Sequence, residues 1–119
     1  MTVLDASAVL AYLQGEPGAA AVETHLRDAR IGAANWAEVL ARLGAGVEAS
    51  LADAILTARG VVVEPVTKAD AATAARIREH SPGLSLGDRL CLALGDRHGD
   101  VVLTADRAWG AIERIVQIQ

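Results

Sequence analysis

Short clusters of β-branched residues alternate along this 119-residue chain with longer segments rich in alanine and leucine. The alternation predicts strands joined by helices, and such strands usually pair in parallel through right-handed crossovers. We therefore expect a three-layer α/β/α sandwich with a central, mostly parallel sheet. The predicted strands are residues 2–4, 30–34, 61–66, 100–104 and 114–118. The predicted helices are residues 6–13, 18–29, 35–45, 48–59, 68–80 and 86–98.

The size and composition are those of one folded domain, which we expect to span residues 1–119. The chain is 52% hydrophobic and 22% charged, so it can build a core and does not resemble a disordered segment. It has no apolar run near the roughly 20 residues needed to cross a bilayer. The opening MTVLDASAVLAYL also lacks the basic region of a signal peptide. We expect a cytoplasmic protein with no membrane association.

The net charge of -4 argues against broad electrostatic attraction to nucleic acid, which depends on lysines and arginines that displace counterions. It does not exclude an enzyme that acts on nucleic acid. The lone cysteine, Cys91, cannot form an internal disulfide or a thiolate metal site, and its apolar neighbours predict a buried thiol.

Four acidic residues are placed where predicted strands end and helices begin. Asp5 follows the first strand directly and Asp106 follows VVLT by one alanine, while Glu38 and Asp88 fall in the predicted first turns of helices opened by NWAE and SLGD. Singly, each acid could cap a helix N-terminus, and SLGD fits the capping-box pattern. Together, they would face the same edge of the sheet, because each lies where a strand ends or a helix begins. In parallel sheets, ligands bind at this edge, beyond the carboxyl ends of the strands.

A cluster of four carboxylates must be protonated, spread out or neutralised by a cation. Two carboxylates about 4 Å apart repel by roughly 4 kcal/mol at an effective dielectric near 20. Oxygen ligands without histidine or cysteine favour magnesium or manganese over zinc. Such ions suit phosphodiester hydrolysis, and they let a net-acidic protein hold a polyanion.

Four sequence strings in order resemble the PIN-domain family, and in particular its VapC-type ribonuclease toxins from toxin-antitoxin pairs. The strings are VLDASAVLAYL, NWAEVLARL, LSLGDRLCLAL and VLTADRAW, and they extend over essentially the whole chain. The resemblance implies an endoribonuclease dependent on Mg²⁺, with Mn²⁺ as a substitute. In it, Asp5, Glu38, Asp88 and Asp106 are the metal ligands and catalytic residues, and a metal-activated water attacks the RNA phosphodiester.

The resemblance also implies partners and supporting residues. Family members typically form homodimers and are silenced by a small cognate antitoxin. Thr104 matches a position where the family often has a hydroxyl residue that orients a carboxylate or water, and Ser7 is a weaker candidate for the same role. Purely structural roles are open for both residues, since a strand threonine and a serine bonded to nearby backbone are common.

Several other charged residues have simple expected roles. Arg89 and Arg107 each follow a site acid and are candidates for contact with RNA or antitoxin, or for plain solvation. Arg42 lies four residues after Glu38, so we expect an intrahelical ion pair between them, with phosphate binding as the alternative. Four further acids are expected to be solvated: Asp53, Asp70, Asp96 and Asp100.

Other functions are weighed against these residues. Aspartate-nucleophile phosphatases need a second acid two residues after the first, where this chain has Ser7, and receiver domains need a lysine near the last strands, whereas the only lysine is Lys68. Two alternatives stay open: a housekeeping RNA-processing nuclease and a catalytically silent PIN-like binding module.

Overall fold

Five parallel strands form one sheet in a computed structural model that describes residues 1–44, 46–109, 112 and 114–119. The strand order is β3-β2-β1-β4-β5, and every strand pair in the described chain is parallel. The predicted fold class is confirmed. The strands are β1 (Thr2–Leu4), β2 (Ala29–Gly32), β3 (Val62–Glu64), β4 (Val101–Thr104) and β5 (Ile115–Gln117).

Six α-helices cover the sheet, and two short 3₁₀ turns lie at Leu26–Asp28 and Arg107–Trp109. The helices are α1 (Ala6–Gln14), α2 (Ala19–Glu23), α3 (Ala33–Leu43), α4 (Val47–Ala58), α5 (Lys68–His80) and α6 (Leu86–His98).

Alternation along the strands sends side chains to two separate cores. Leu4 and Leu103 pack with α1 and α2 on one face. Val3 and Val102 pack with Cys91 of α6 on the other. Cys91 is fully buried and free, as expected. The polar carboxyl edge of the sheet lies between the helices of both layers.

The chain departs from the expected boundaries near β2. The helix expected over 18–29 ends at Glu23, because Ala29 is already extended and pairs with Thr2. Helix α3 then begins at Ala33, two residues earlier than expected. The far end of the predicted 35–45 helix, residue 45, lies outside the described residues.

Buried ion pairs connect the sheet to α5 and α6, which corrects the expectation that Asp70 and Asp100 are solvated. Arg30 of β2 contacts Glu64 at 2.5 Å and Asp100 at 3.3 Å. Arg97 of α6 contacts Asp70 at 2.9 Å. Both aspartates are less than one-tenth exposed. Their arginine partners are distant in sequence, so the local pattern gave no sign of the pairing.

The same network lowers the pKa of two carboxylates, Glu64 and Asp70. Burial opposes ionisation of Glu64, but hydrogen bonds from His98 and Arg30 hold its pKa below the usual value. Burial also opposes ionisation of Asp70, whose pKa is lowered by hydrogen bonds within the α5 cap and from Arg97. Among the described residues, no helix combines the length and apolar composition that crossing a bilayer requires.

Candidate active site

A pocket of about 330 Å³ opens at the carboxyl edge of the sheet, between α1, α3 and α6. The four predicted acids all line it, although they come from four different elements of the chain. Its other polar lining residues in the described chain are Ser7, Gln14, Glu16, Asn35, Arg42 and Gln119.

Asp5 is the most buried of the four acids, with 4% of its surface exposed. It follows β1 and caps α1, where its Oδ1 accepts a hydrogen bond from the backbone N–H of Ala8 at 2.8 Å. The Ser7 hydroxyl lies 2.7 and 2.9 Å from the two carboxylate oxygens. The Thr104 hydroxyl donates to Oδ2 at 2.5 Å. Capping and hydroxyl contacts thus fix one carboxylate orientation.

Thr104 and Ser7 also connect β1 to the segment that carries Asp106. Thr104 accepts from the backbone N–H of Asp106 at 3.0 Å, and Ser7 accepts from that of Ala105 at 2.9 Å. The Asp106 side chain accepts from the N–H of Ala108 at 2.8 Å, which fixes it at the start of the 3₁₀ turn. The two hydroxyl residues therefore hold Asp5 and the Asp106 backbone in one hydrogen-bonded unit.

Glu38 lies in the second turn of α3, which corrects the expected first-turn position. The helix begins at Ala33 with Gly32 as its N-cap, and no side chain caps it. The capping explanation for Glu38 is therefore wrong. Its carboxylate is instead turned toward α6, where Gly87 leaves room for it.

Asn35 joins the two helices that carry Glu38 and Asp88. It is 2% exposed, and its Nδ2 donates to the Gly87 carbonyl at 3.2 Å and to Glu38 Oε1 at 3.4 Å. These two acceptors determine the amide orientation, because the flipped amide would place an oxygen against both. Sequence reasoning missed this role, although Asn35 precedes the buried Val39 by one helical turn on the same face.

Asp88 occupies the capping box predicted at the start of α6. Its backbone N–H donates to the Ser85 hydroxyl at 3.1 Å, and its Oδ2 accepts from the Ser85 N–H at 3.2 Å. The same residue lines the pocket. Capping uses one carboxylate oxygen and leaves the other available to a ligand.

The electrostatics of the pocket disfavour full ionisation. Burial raises the pKa of Asp5, the charge of Asp88 adds to the rise, and the hydrogen bonds from Thr104, Ala8 and Ser7 oppose it. Partial desolvation raises the pKa of Glu38, and repulsion from Asp88 and Asp5 adds to it. The acids therefore interact with one another, as the clustering predicted.

The donor chemistry fits a hard divalent cation, since carboxylates supply the charge and oxygen ligands that such ions prefer. In the described part of the chain, no three acidic, histidine or cysteine side chains already have the spacing of a metal-ion site. Ion binding would draw the carboxylates inward. Asp5 and Asp88 are anchored at helix starts, whereas Glu38 is exposed and has the most freedom to move.

The candidate contact arginines occupy different positions. Arg89 donates to the Ala74 carbonyl of α5 at 3.0 Å and is not among the described residues that line the pocket. Arg107 is exposed beside Asp106. Contact of either arginine with RNA or antitoxin stays a prediction.

Comparison with known proteins identifies the family. The model of the PIN domain matches residues 2–115, so the chain belongs to the PIN-domain family. The resemblance inferred from the four strings is thereby confirmed. No curated protein matches the sequence.

Solved structures with the same fold include toxin-antitoxin proteins. A toxin-antitoxin complex from Klebsiella pneumoniae matches with a TM-score of 0.87 and 17% identity, over 100% of this chain and 98% of the other. The sarcin-ricin loop cleaving toxin VapC20 from Mycobacterium tuberculosis matches with a TM-score of 0.68 and 20% identity, over 95% of this chain and 98% of the other. FitAcB from Neisseria gonorrhoeae matches with a TM-score of 0.66 and 22% identity, over 90% of this chain and 88% of the other. At these identities the likeness shows the fold.

Proposed function

We propose that the protein is a metal-dependent endoribonuclease and the toxin of a toxin-antitoxin pair. The observation that carries the proposal is the convergence of Asp5, Glu38, Asp88 and Asp106 on one pocket of a PIN domain. Four carboxylates gathered from separate elements are costly to keep together unless a cation offsets their charge.

In this proposal the four acids hold Mg²⁺, with Mn²⁺ as a substitute. The bound ion would activate water and stabilise charge on the scissile phosphate. The protein's own contribution is positioning. Thr104 and Ser7 keep both Asp5 oxygens oriented by hydrogen bonds, and Asn35 keeps Glu38 beside α6. The Ser85 cap holds Asp88 at a helix N-terminus, where negative charge is favoured.

The proposal includes the partners expected of such a toxin. They are an RNA substrate, a small cognate antitoxin and a second copy of the chain in a homodimer. Toxin-antitoxin complexes among the similar structures support the antitoxin, and the cleavage activity named for VapC20 supports an RNA substrate. We also propose that residues 1–119 act as one domain in the cytoplasm.

Two alternatives lead to different outcomes in the same assays. A housekeeping RNA-processing nuclease would use the same carboxylates without arresting growth. A silent binding module would keep the fold without cutting RNA, but loss of activity usually appears as substituted site acids, and all four are present.

Cleavage of total cellular RNA with Mn²⁺, followed by sequencing of the new ends, tests the nuclease. We expect the wild type to produce discrete new ends and Asp5→Asn and Asp88→Asn to lose them. Asp53→Asn is the matched control, because Asp53 is an exposed acid on α4 outside the pocket. Thermal unfolding of each variant separates lost chemistry from lost structure. Equal cutting by wild type and Asp5→Asn, or no cutting by any protein, would contradict the proposal.

Controlled expression in a bacterial host tests the toxin role. Growth arrest by the wild type, relieved by Asp88→Asn and by co-expression of an adjacent small reading frame, is expected of a toxin. RNA cleavage in vitro without growth arrest would favour the housekeeping nuclease instead.

A further inference from the structure

Arg42 is the one basic side chain among the described residues that line the acidic pocket. It lies on α3, one helical turn after Glu38, and its side chain is exposed. Five carboxylates line the same space, since Glu16 joins the four site acids. A guanidinium in this position would be expected to pair with one of them.

No such pair forms within the described chain. The ion pair predicted between Arg42 and Glu38 is absent there, and Arg42 makes no side-chain hydrogen bond to another described residue. Three other arginines have partners: Arg30 and Arg97 bind buried carboxylates, and Arg89 binds a backbone carbonyl. Arg42 is thus exposed at the pocket rim without a partner in the part of the chain that the structure describes.

A guanidinium that has no partner among the described residues and lies at the rim of an anionic pocket can bind an anion that the carboxylates would repel. Arginine presents a planar fork of N–H donors that matches two phosphate oxygens. Four residues of helix advance the chain by about 6 Å, so Arg42 lies one helical turn beyond Glu38 along the pocket.

We propose that Arg42 binds a backbone phosphate of the RNA next to the scissile phosphate and thereby holds the strand in register over the carboxylates. The inference rests on the proposed nuclease function. Contact with an unreacting phosphate is the same in the ground state and the transition state, so it acts on KM rather than on kcat.

Steady-state cleavage of a short fluorescent single-stranded RNA that the wild type cuts tests this role. We expect Arg42→Gln to raise KM about tenfold while leaving kcat near the wild-type value. The slope of log(kcat/KM) against log salt should become shallower by about 0.7, the value for one phosphate contact on a single strand. Arg42→Lys should keep the slope and lose part of the affinity, since it retains the charge without the fork. Arg78→Gln is the matched control, because Arg78 is exposed on α5 away from the pocket.

Neutral methylphosphonates at single positions near the cut identify the phosphate. In the wild type, one flanking replacement should raise KM about as much as Arg42→Gln does, and that replacement should have no further effect in the variant. Additive effects, or an Arg42→Gln profile equal to that of Arg78→Gln, would overturn the proposal. So would a loss confined to kcat, which would place Arg42 at the reacting phosphate. If the wild type cuts no RNA, the nuclease proposal fails first, and this inference falls with it.

Discussion

Replacing Gly87 with alanine should remove activity while leaving the fold as stable as before. A Cβ at this position would overlap Oε1 of Glu38 and lie 3.1 Å from its Cδ, whereas ordinary contact begins at 3.4 Å. The obstructing atoms belong to the end of a flexible, exposed side chain, so the carboxylate can move aside. The backbone of α6 has no reason to shift.

Two opposing contributions determine the expected change in stability, and the rate of cleavage should fall separately. Glycine to alanine in a helix is worth up to about 1 kcal/mol of added stability, and loss of the long Asn35–Glu38 hydrogen bond offsets about 0.5–1 kcal/mol of that gain. The free energy of unfolding should therefore change by less than about 1 kcal/mol. The carboxylate must retreat by roughly 1 Å, and a displacement of that size near a reacting centre can cost about 100-fold in rate.

Urea unfolding and RNA cleavage with Mn²⁺, measured on the same preparations, check both signs. Gly83→Ala is the matched control, because a Cβ there meets nothing within 4 Å and its backbone is not left-handed. Gly83→Ala should cut like the wild type. Undiminished cleavage by Gly87→Ala would refute the reasoning that the position of Glu38 matters. A decrease of more than about 2 kcal/mol in the free energy of unfolding would show that the added Cβ collides with backbone atoms instead.

Two further substitutions test the network around the site and the ion pairs beneath it. Thr104→Val keeps the shape of a fully buried side chain but removes the donor to Asp5, so urea unfolding should show a loss of about 1–3 kcal/mol and cleavage should fall. Asp70→Ala removes the carboxylate that accepts from the Thr67 N–H in the α5 capping box and removes the ion pair with Arg97, and should cost about 2–3 kcal/mol at pH 7. The folded pKa of Asp70 is lowered from 3.8, so this contribution is present above that value and disappears as pH falls through the lower folded value.

Matched variants on α4 serve as controls for both substitutions. Thr57 and Asp53 are exposed and joined by a long contact of 3.5 Å, so Thr57→Val and Asp53→Ala should each change stability by less than about 0.5 kcal/mol. The ion-pair account predicts that the free energies of unfolding of wild type and Asp70→Ala converge at low pH. It would be contradicted if their difference stayed constant from pH 7 to below pH 3. A Thr104→Val protein as stable as the wild type would contradict a structural role for the hydroxyl.

The sheet and the set of acids at its edge could be predicted because they depend on local patterns. Clusters of β-branched residues can be distinguished from segments whose apolar residues have helical spacing, and parallel strands have their carboxyl ends at one edge of the sheet. Asp5 and Asp106 follow β1 and β4, which are neighbours in the sheet. The Asp88 cap was equally readable, because a serine three residues before an acid is a local signal.

What could not be predicted depends on contacts between distant segments. The burial of Asp70 and Asp100 requires Arg97 and Arg30 to meet them, and no local spacing reveals that meeting. Glu38 was assigned to the wrong turn because Gly32 caps α3 without a side chain. Arg42 was paired with Glu38 on helical spacing alone, whereas the carboxylate turns toward Gly87.

The place of β4 in the sheet has a consequence for synthesis of the chain. β4 pairs with β1 at the centre, yet nearly 100 residues separate Leu4 from Leu103, which it faces. A nascent chain that has not yet released Val101–Asp106 from the ribosome lacks Thr104 and Asp106, and Asp5 lacks its hydroxyl partner from β4. The carboxylate pocket is therefore completed only after the six α-helices of the described chain have been made.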